Sequence, residues 1–266
     1  MAVANLAKSV YYYHQSLSQQ PDPHAPVKAQ IAAIFHHHRG RYGYRRVHLE
    51  LRNQGCYRNP KTVQKLMGQM SLKSTVRPKR YQSYQGVLGK MAPNQLNRVF
   101  RSTAPNQKWV TDVTEFNIKG QKIYLSPMLD LFNQEIIAYD IADHPLLSSV
   151  LRMLHNACQR LQHHEKPMVH SDQGWQYQMM AYRQAIEHHG LTQSMSRKGN
   201  CFDNAVMENW FGILKTEFFH AKQFHDVESF KQELKDYIHY YNHQRIKQKL
   251  KGLSPVQYRT QSLLVP

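Results

Sequence analysis

The chain has 266 residues, of which 41% are hydrophobic and 11% aromatic. This composition supports a buried core and excludes collagen-like, wholly disordered and disulfide-scaffold proteins. The sequence has neither an apolar run of about eighteen residues, which a membrane span requires, nor a secretory signal, so we expect a cytoplasmic protein. Its cysteines, Cys56, Cys158 and Cys201, are too scattered to predict a disulfide framework.

The charge is distributed unevenly along the chain. Overall, 35 Lys and Arg stand against 18 Asp and Glu, which gives a formal net charge of +17. Residues 1–105 contain 17 Lys and Arg but only two acids, whereas residues 106–266 contain 18 and 16. Because Lys and Arg displace counterions from phosphates, we interpret the first part as a nucleic-acid-binding region. A membrane-surface patch and a ribosome-associated protein are the alternatives that charge alone leaves open.

Residues 24–72 have the pattern of three short helices. Apolar residues recur at helical spacing up to Gly40, and a second apolar set follows at residues 47–51. The third helix opens at Asn59, a suitable N-cap, followed by Pro60 in the first turn. This arrangement is compatible with a helix-turn-helix module, although small helical hairpins without a DNA-binding function share it.

Residues 73–105 are basic, punctuated by Gly and Pro, and lack a clear period, which predicts a linker. Its aromatic residues suit contact with nucleic acid, and a merely solvated connector is the alternative. In this linker and the helical region before it, we predict DNA contacts for Arg45, Arg46, Lys61, Lys65, Arg77, Lys79 and Arg80.

The pattern changes at Trp109, where β-branched residues begin to alternate with polar ones. Short turns separate three predicted strands, which should form an antiparallel meander, and alternating helices and strands follow. The predicted strands cover residues 109–118, 123–132, 135–142, 167–172 and 191–196. The predicted helices cover residues 150–161, 179–188, 203–218 and 230–241. This order predicts an α/β fold with a mixed five-stranded sheet and helices on its faces.

Most acids of this second half occupy positions typical of the surface, but three do not. Asp112 falls inside the first predicted strand, and Asp172 falls at the tip of the fourth, where ligands bind in open sheets. Glu208 lies about one turn into a helix, next to Trp210 and Phe211, which we predict to be core anchors. If the three carboxylates converge, they could bind Mg²⁺ for phosphodiester chemistry; the alternative is three unrelated acids.

Asp172 and Glu208 are separated by 35 residues. With an earlier Asp in a first strand, this spacing resembles the catalytic core of DDE transposases and retroviral-type integrases. Further stretches resemble motifs of bacterial insertion-sequence transposases: residues 109–114 (WVTDVT), 170–174 (HSDQG), 194–205 (SMSRKGNCFDNA), 240–242 (YYN) with Arg245, and 250–255 (LKGLSP). The resemblance covers essentially the whole chain. It points to the downstream-frame catalytic protein of the subgroup that is encoded in two overlapping frames.

The resemblance implies an RNase H-like fold behind a small all-α helix-turn-helix-like domain. It implies metal-dependent DNA cleavage and strand transfer, with Asp112, Asp172 and Glu208 holding two Mg²⁺ ions, for which Mn²⁺ could substitute. The implied partners are double-stranded DNA, as element ends and target, further copies of the chain on that DNA, and the upstream-frame protein. Because the implied partner is DNA, the resemblance also implies that the protein is located in the bacterial cytoplasm at the nucleoid. The rival interpretations are an RNase H-like nuclease and a non-catalytic DNA-binding regulator.

We expect four stretches: a helical DNA-binding region (1–72), a linker (73–105), a catalytic core (106–222) and a helical extension (223–266).

Near the proposed site, the resemblance suggests that Lys215, two helical turns after Glu208, contacts the element end; an ordinary exposed lysine is the alternative. We also predict DNA contacts for Arg197 and Lys198 in the loop before that helix. Asp203 suits the helix N-cap better than a ligand role. His170 could either assist proton transfer or pack beside the site.

Overall fold

The computed structural model describes residues 7–10, 12, 22–75, 92–197 and 201–264. The chain divides into two compact units, Met1–Thr75 and Val76–Pro266. None of the helices in the described ranges is both long and apolar enough to cross a lipid bilayer.

The first unit is helical in its described part and contains the predicted helices. They are α1 (Ala25–His37), α2 (Tyr44–Asn53) and α3 (Pro60–Gln69). As predicted, Asn59 caps α3, because its side-chain Oδ1 accepts the backbone N–H of Lys61 at 2.9 Å. The helices share a core made of Val27, Ile31, Ile34, Phe35, Val47, Leu51, Val63, Leu66 and Met67.

The second unit is built on a mixed sheet. Its strands are β1 (Lys108–Thr111), β2 (Thr114–Ile118), β3 (Gln121–Asp130), β4 (Ile136–Ala142), β5 (Met168–Ser171) and β6 (Thr192–Met195). The long strand β3 pairs antiparallel with β4 along one edge and with β2 and then β1 along the other. Strands β1, β5 and β6 are parallel neighbours. The predicted antiparallel meander and mixed sheet are therefore present.

The predicted first strand is broken, so the described residues form six strands where five were expected. Asp112 lies in the break and not, as predicted, inside a strand. The register places Asp112 opposite Pro127, whose ring nitrogen carries no hydrogen to donate to a ladder. The Asp112 carboxylate instead accepts the backbone N–H of Val113 at 2.7 Å. The backbone of Asp112 therefore lies outside both strands.

Helices cover both faces of the sheet. They are α4 (Leu147–Cys158), α5 (Trp175–Gln178), α6 (Met180–His188), α7 (Ala205–Leu214), α8 (Val227–His243) and α9 (Pro255–Leu264). One core cluster joins α7 and α8 to the sheet through Trp210, Phe230 and Tyr241, and a second joins α4 and α6 through Leu154 and Tyr182. Trp210 and Phe211 are buried core residues, as predicted.

The helix predicted over residues 203–218 is less regular than expected. It begins with a 3-10 turn (Cys201–Asn204), continues as α7 and ends in a π-helical turn (Lys215–Phe219). A 3-10 turn is tighter than an α-helical turn and a π-helical turn is wider, so the side chains at both ends depart from the α-helical period.

The end of the predicted linker also packs on the second unit. Leu96 is buried in the cluster of α7 and α8, and the backbone N–H groups of Gln95 and Leu96 donate to Ser194 Oγ at 3.0 and 3.1 Å. The division of the chain into four stretches stays a prediction.

Candidate active site

Asp112 and Asp172 lie side by side at one end of the sheet. Strands β1 and β5 are parallel, with Val110 opposite His170, so the residues that directly follow the two strands are neighbours. Both aspartates line a cavity of about 210 Å³. This is the carboxyl end of parallel strands, where open α/β sheets bind ligands.

Backbone and side-chain donors fix both carboxylates. Asp112 Oδ2 accepts the side-chain N–H of Asn204 at 3.3 Å, while its Oδ1 accepts from Val113. Asp172 Oδ1 accepts the backbone N–H of Gly174 at 2.8 Å. A Cβ atom at position 174 would lie only 2.9 Å from that same oxygen. Glycine is therefore the residue that permits this close turn.

The site disfavours negative charge. Burial raises the pKa of Asp112 well above its ordinary value, and the charges of Asp172 and Glu208 raise it further, while the Val113 N–H and Lys215 act in the opposite direction. Burial also raises the pKa of Asp172, against the hydrogen bond from Gly174. Among the described residues, neither aspartate forms a salt bridge. Crowded carboxylates of this kind favour a bound cation, which stabilises their ionised forms.

Glu208 and Lys215 bring opposite charges to the site from the same helical segment. Glu208 lies in the first turn of α7 and acts electrostatically on Asp112. Lys215 Nζ lies 5.8 Å from the ring centroid of Phe116, and burial lowers the pKa of Lys215 while Asp112 and Glu115 raise it. Lys215 is half-buried and acts electrostatically on Asp112, while its contact with the element end stays a prediction. In the part of the chain that the structure describes, no three Asp, Glu, His or Cys side chains form a ready-made metal cage.

Asp203 does not cap the helix, contrary to the prediction. The residue at the N-cap of α7 is Asn204, and no side chain caps that position. The Asp203 carboxylate is instead fully buried and paired with Arg98 and Arg197. Asn204 was missed as a site residue, because its contact with Asp112 joins segments 92 positions apart. Its place inside the motif of residues 194–205 was the available signal.

His170 packs next to the site. Its ring lies between two serine hydroxyls, with Nδ1 2.8 Å from Ser194 Oγ and Nε2 3.2 Å from Ser196 Oγ. Burial lowers the pKa of His170 to about 4, against the influence of Asp203. The ring is therefore neutral near pH 7, and the structure favours packing over proton transfer.

The expectation that the remaining acids lie at the surface is wrong for several of them. Each buried one has partners that hold it away from the cavity. Asp130 accepts the backbone N–H groups of Asn106 and Phe132, and all four buried acids form ion pairs with arginine. These buried acids are Asp130, Glu135, Asp203 and Glu217.

The basic residues predicted to contact DNA lie in both units. In the first unit Arg45, Lys61 and Lys65 are exposed, and Arg46 is partly buried with its guanidinium 5.4 Å from the ring centroid of Tyr42. In the second unit Arg197 has an exposed side chain that pairs with Asp203. The other predicted contacts, Arg77, Lys79, Arg80 and Lys198, lie outside the described residues.

The sequence matches family models along most of its length. Residues 102–201 and 208–263 match two models that are both described as "Integrase core domain". Residues 24–80 match a model described as "HTH-like domain".

Solved structures include distant likenesses. A chain of a simian T-cell lymphotropic virus intasome, in complex with PP2A regulatory subunit B56 gamma, has 18% identity and a TM-score of 0.48, covering 75% of this chain and 66% of that one. The HTLV-2 integrase catalytic core domain, in complex with magnesium, has 16% identity and a TM-score of 0.46, covering 60% of this chain and 99% of that one.

Curated relatives are far more similar. The putative transposase InsK for insertion sequence element IS150 of Escherichia coli K12 is 50% identical over 264 residues, which cover 99% of this chain and 93% of the relative. A transposase-like protein of Haemophilus influenzae is 53% identical over 77% of this chain and 94% of its own length. The transposase InsF for insertion sequence IS3A of Escherichia coli K12 is 32% identical over 88% of this chain and 82% of its own length. By these relationships, the chain belongs to the DDE transposases of bacterial insertion sequences.

Proposed function

We propose that Asp112, Asp172 and Glu208 are the carboxylates with which this transposase catalyses DNA cleavage and strand transfer. The observation that carries the proposal is the neighbouring position of Asp112 and Asp172 in one cavity at the ends of β1 and β5. Glu208 joins them from α7, close enough to influence the pKa of Asp112. Water first frees a 3′-hydroxyl at the element end, and this hydroxyl then replaces an existing ester oxygen at a target phosphate.

The donor set fits a divalent metal. Carboxylate oxygens are hard ligands, and Mg²⁺ in proteins is commonly held by one or two carboxylates together with water and substrate phosphates. Asp112 and Asp172 would supply such oxygens, with Glu208 completing a two-ion site that accepts Mg²⁺ or Mn²⁺. Metal bound there would lower the pKa of an attacking hydroxyl and offset charge at the phosphate.

The chain's own residues supply positioning and charge. Val113 and Asn204 hold the Asp112 carboxylate, and Gly174 holds that of Asp172. Lys215 places an ammonium group beside the carboxylates, where it would bind a phosphate of the element end. The side chains are thus fixed before DNA arrives, which limits the reorganisation that the reaction requires.

DNA binding by the first unit would draw on its exposed cations. Helix α3 carries Lys61 and Lys65 at its surface, and α2 carries Arg45 beside Arg46. We include Arg77, Lys79, Arg80, Arg197 and Lys198 in the same DNA-binding set. The partners would be both element ends and a target duplex, bound by a homo-oligomer near the nucleoid, with the upstream-frame protein as a further partner.

A strand-transfer assay tests the proposal. The full chain would be incubated with Mg²⁺, a labelled duplex carrying the element's own end, taken from the DNA flanking its coding region, and a plasmid target. Asp172→Asn and Glu208→Gln should each lower the joining rate by at least about a thousandfold while DNA binding persists. The matched control is Glu187→Gln, the same neutralisation of an exposed acid on α6, which should leave the rate within about twofold.

Each other outcome contradicts the proposal in a recognisable way. Cleavage without joining, in Mg²⁺ and in Mn²⁺, would identify a nuclease. Wild-type joining activity that persists in Asp172→Asn would remove the carboxylates from the mechanism. DNA binding with neither cleavage nor joining would identify a regulator.

A further inference from the structure

A buried carboxylate lies just before the helix that carries Glu208. Asp203 is in the 3-10 turn that leads into α7, and its side chain is 0% exposed. It accepts hydrogen bonds from Asn94 Nδ2 at 2.8 Å and from Arg98 Nε at 2.9 Å. It also accepts both the backbone N–H and the Nε–H of Arg197, at 3.0 and 3.2 Å.

These donors come from separate parts of the second unit. Asn94 and Arg98 belong to the segment that precedes β1, which is itself bound to β6 through Ser194. Arg197 follows β6 and begins the loop that Asp203 ends. One carboxylate therefore links the 3-10 turn to Arg197, just after β6, and to the segment of Asn94 and Arg98. Two of the donors at this junction are guanidiniums, so their hydrogen bonds are charge-assisted and stronger than neutral ones.

The next residue connects this junction to the proposed catalytic site. Asn204 donates to Asp112 Oδ2, but the bond is long, at 3.3 Å. Asn204 Oδ1 is buried and has no hydrogen-bond partner among the described residues. The side-chain hydrogen bonds of Asn204 are thus too few to hold it against Asp112. Asn204 directly follows Asp203 in the same 3-10 turn, so the contacts of Asp203 bear on the backbone that carries Asn204.

We infer that Asp203 is a positioning residue of the active site: by clasping Arg98, Arg197 and Asn94 it sets Asn204 against Asp112. The inference rests on the proposed function, in which Asp112 is a catalytic carboxylate. Asp203 itself is fully buried and bonded to Asn94, Arg98 and Arg197, so the role inferred for it is to position other groups.

The second unit contains a matched control for this inference. Glu135 is also a buried acid held by two arginines and an asparagine: Arg160 Nη2 at 2.7 Å, Arg259 Nη1 at 3.2 Å and Asn133 Nδ2 at 3.0 Å. It lies in the turn between β3 and β4, next to the start of β1 and thus away from the Asp112 end of that strand. Glu135→Gln therefore removes an equivalent clasp without touching Asn204.

The experiment compares Asp203→Asn with Glu135→Gln in the full chain. The measurements are the Tm, the Kd for element-end DNA, and the single-turnover joining rate at saturating DNA and Mg²⁺. Both variants should lower the Tm, because both break a buried ion pair. Only Asp203→Asn should lower the joining rate, by about tenfold, and because DNA is saturating, this loss is separate from any change in the Kd that the release of Arg197 causes. Equal rates in the two variants would overturn the inference.

A double-variant cycle tests the route through Asn204. Asn204→Ala should lower the joining rate, and adding Asp203→Asn should lower it no further than about twofold. A full second tenfold loss would show that Asp203 acts elsewhere and would overturn the inference. If Asp203→Asn does not fold, Arg98→Gln, which removes one donor at the surface, replaces it and should give the same pattern with a smaller loss.

The failure of the inference is distinguishable from that of the proposed function. If wild-type protein joins DNA and Asp112→Asn does not, the proposed function stands, and an unaffected rate in Asp203→Asn overturns the inference alone. If Asp112→Asn keeps its joining activity, the proposed function fails, and with it the inference that rests on Asp112.

Discussion

Replacing Arg245 should destabilise the second unit strongly. Arg245 and Glu217 form a buried ion pair in which Nε and Nη2 donate to the two carboxylate oxygens, both at 2.7 Å, and the side chains are 2% and 1% exposed. Burial alone would lower the pKa of Arg245, but the Glu217 carboxylate raises it above its ordinary value. Tyr237 also donates its hydroxyl to Glu217 at 3.0 Å. The charge of each partner is therefore compensated by the other.

The expected magnitude follows from this burial. Arg245→Met leaves the Glu217 carboxylate buried with Tyr237 but without its cation, and breaking a buried pair in this way costs about 3–5 kcal/mol. At about 2–4 °C for each kcal/mol in a unit of this size, the Tm should fall by roughly 6–20 °C. Arg152→Met is the control, because Arg152 pairs with Asp140 while 56% exposed and should cost less than about 1 kcal/mol.

Urea unfolding followed by circular dichroism would measure these free energies of unfolding. The double variant Glu217→Gln with Arg245→Met should recover at least half of the loss, because no buried charge is then left uncompensated. A loss below about 1 kcal/mol, or a double variant as unstable as the sum of the single variants, would refute the reasoning.

Three further predictions concern metal, protons and DNA. The folded state raises the pKa of Asp112, so the contribution of this carboxyl to stability is present below its unfolded pKa and is lost as the pH rises through its folded pKa. Replacing it by Asn should therefore raise the Tm of the metal-free protein at pH 7.5. The same replacement, Asp112→Asn, should have little effect on the Tm near pH 4. A Tm that is lowered at pH 7.5 would contradict this. In calorimetry, Mg²⁺ at a hundred times its Kd should raise the free energy of unfolding of the wild-type protein by about 2.7 kcal/mol and that of the Asp172→Asn variant by much less. Equal stabilisation of the two proteins would show that the ion binds elsewhere. Lys61→Ala and Lys65→Ala should each reduce the slope of log K for DNA binding against log salt concentration by about 0.9. The control is Lys28→Ala, which should leave the slope unchanged because the Lys28 ammonium already pairs with Asp22. Equal slopes in all three variants would remove α3 from the DNA interface.

The elements that the sequence predicts well are those with a regular apolar period. Helices α1 to α3 and α8 each place one apolar face in a core, and that face is visible in the sequence. The break between β1 and β2 is different, since it depends on Pro127 standing opposite Asp112. This pairing is a fact of strand register, which the sequence of either strand alone does not contain.

The end of α7 was mispredicted for a related reason. The apolar residues from Trp210 to Phe218 suit a continuous helix, but the structure changes to a π-helical turn at Lys215. That turn includes Glu217, whose carboxylate is bound by Arg245 from a segment 28 residues later. The local apolar pattern, from which the helix was predicted, does not contain a partner that is so distant in sequence. The geometry of Lys215, beside Asp112, depends on this turn.

The buried acids show why the sequence predicts candidate carboxylates but not their electrostatic surroundings. Asp203, Glu135 and Asp112 are carboxylates whose partners come from distant parts of the chain, which their local sequences do not show. These partners separate them: arginines, against the effect of burial, lower the pKa of Asp203 and Glu135, whereas Asp172 and Glu208 add to the effect of burial and raise that of Asp112. The first two charges are already compensated by the fold, so they stabilise it and have little remaining capacity to bind a cation. The charge of Asp112 is compensated only in part, by Lys215 and its hydrogen bonds. Under the proposed function, an acid of that kind destabilises the metal-free protein, and its presence in the cavity is explained by chemistry that would use a cation there.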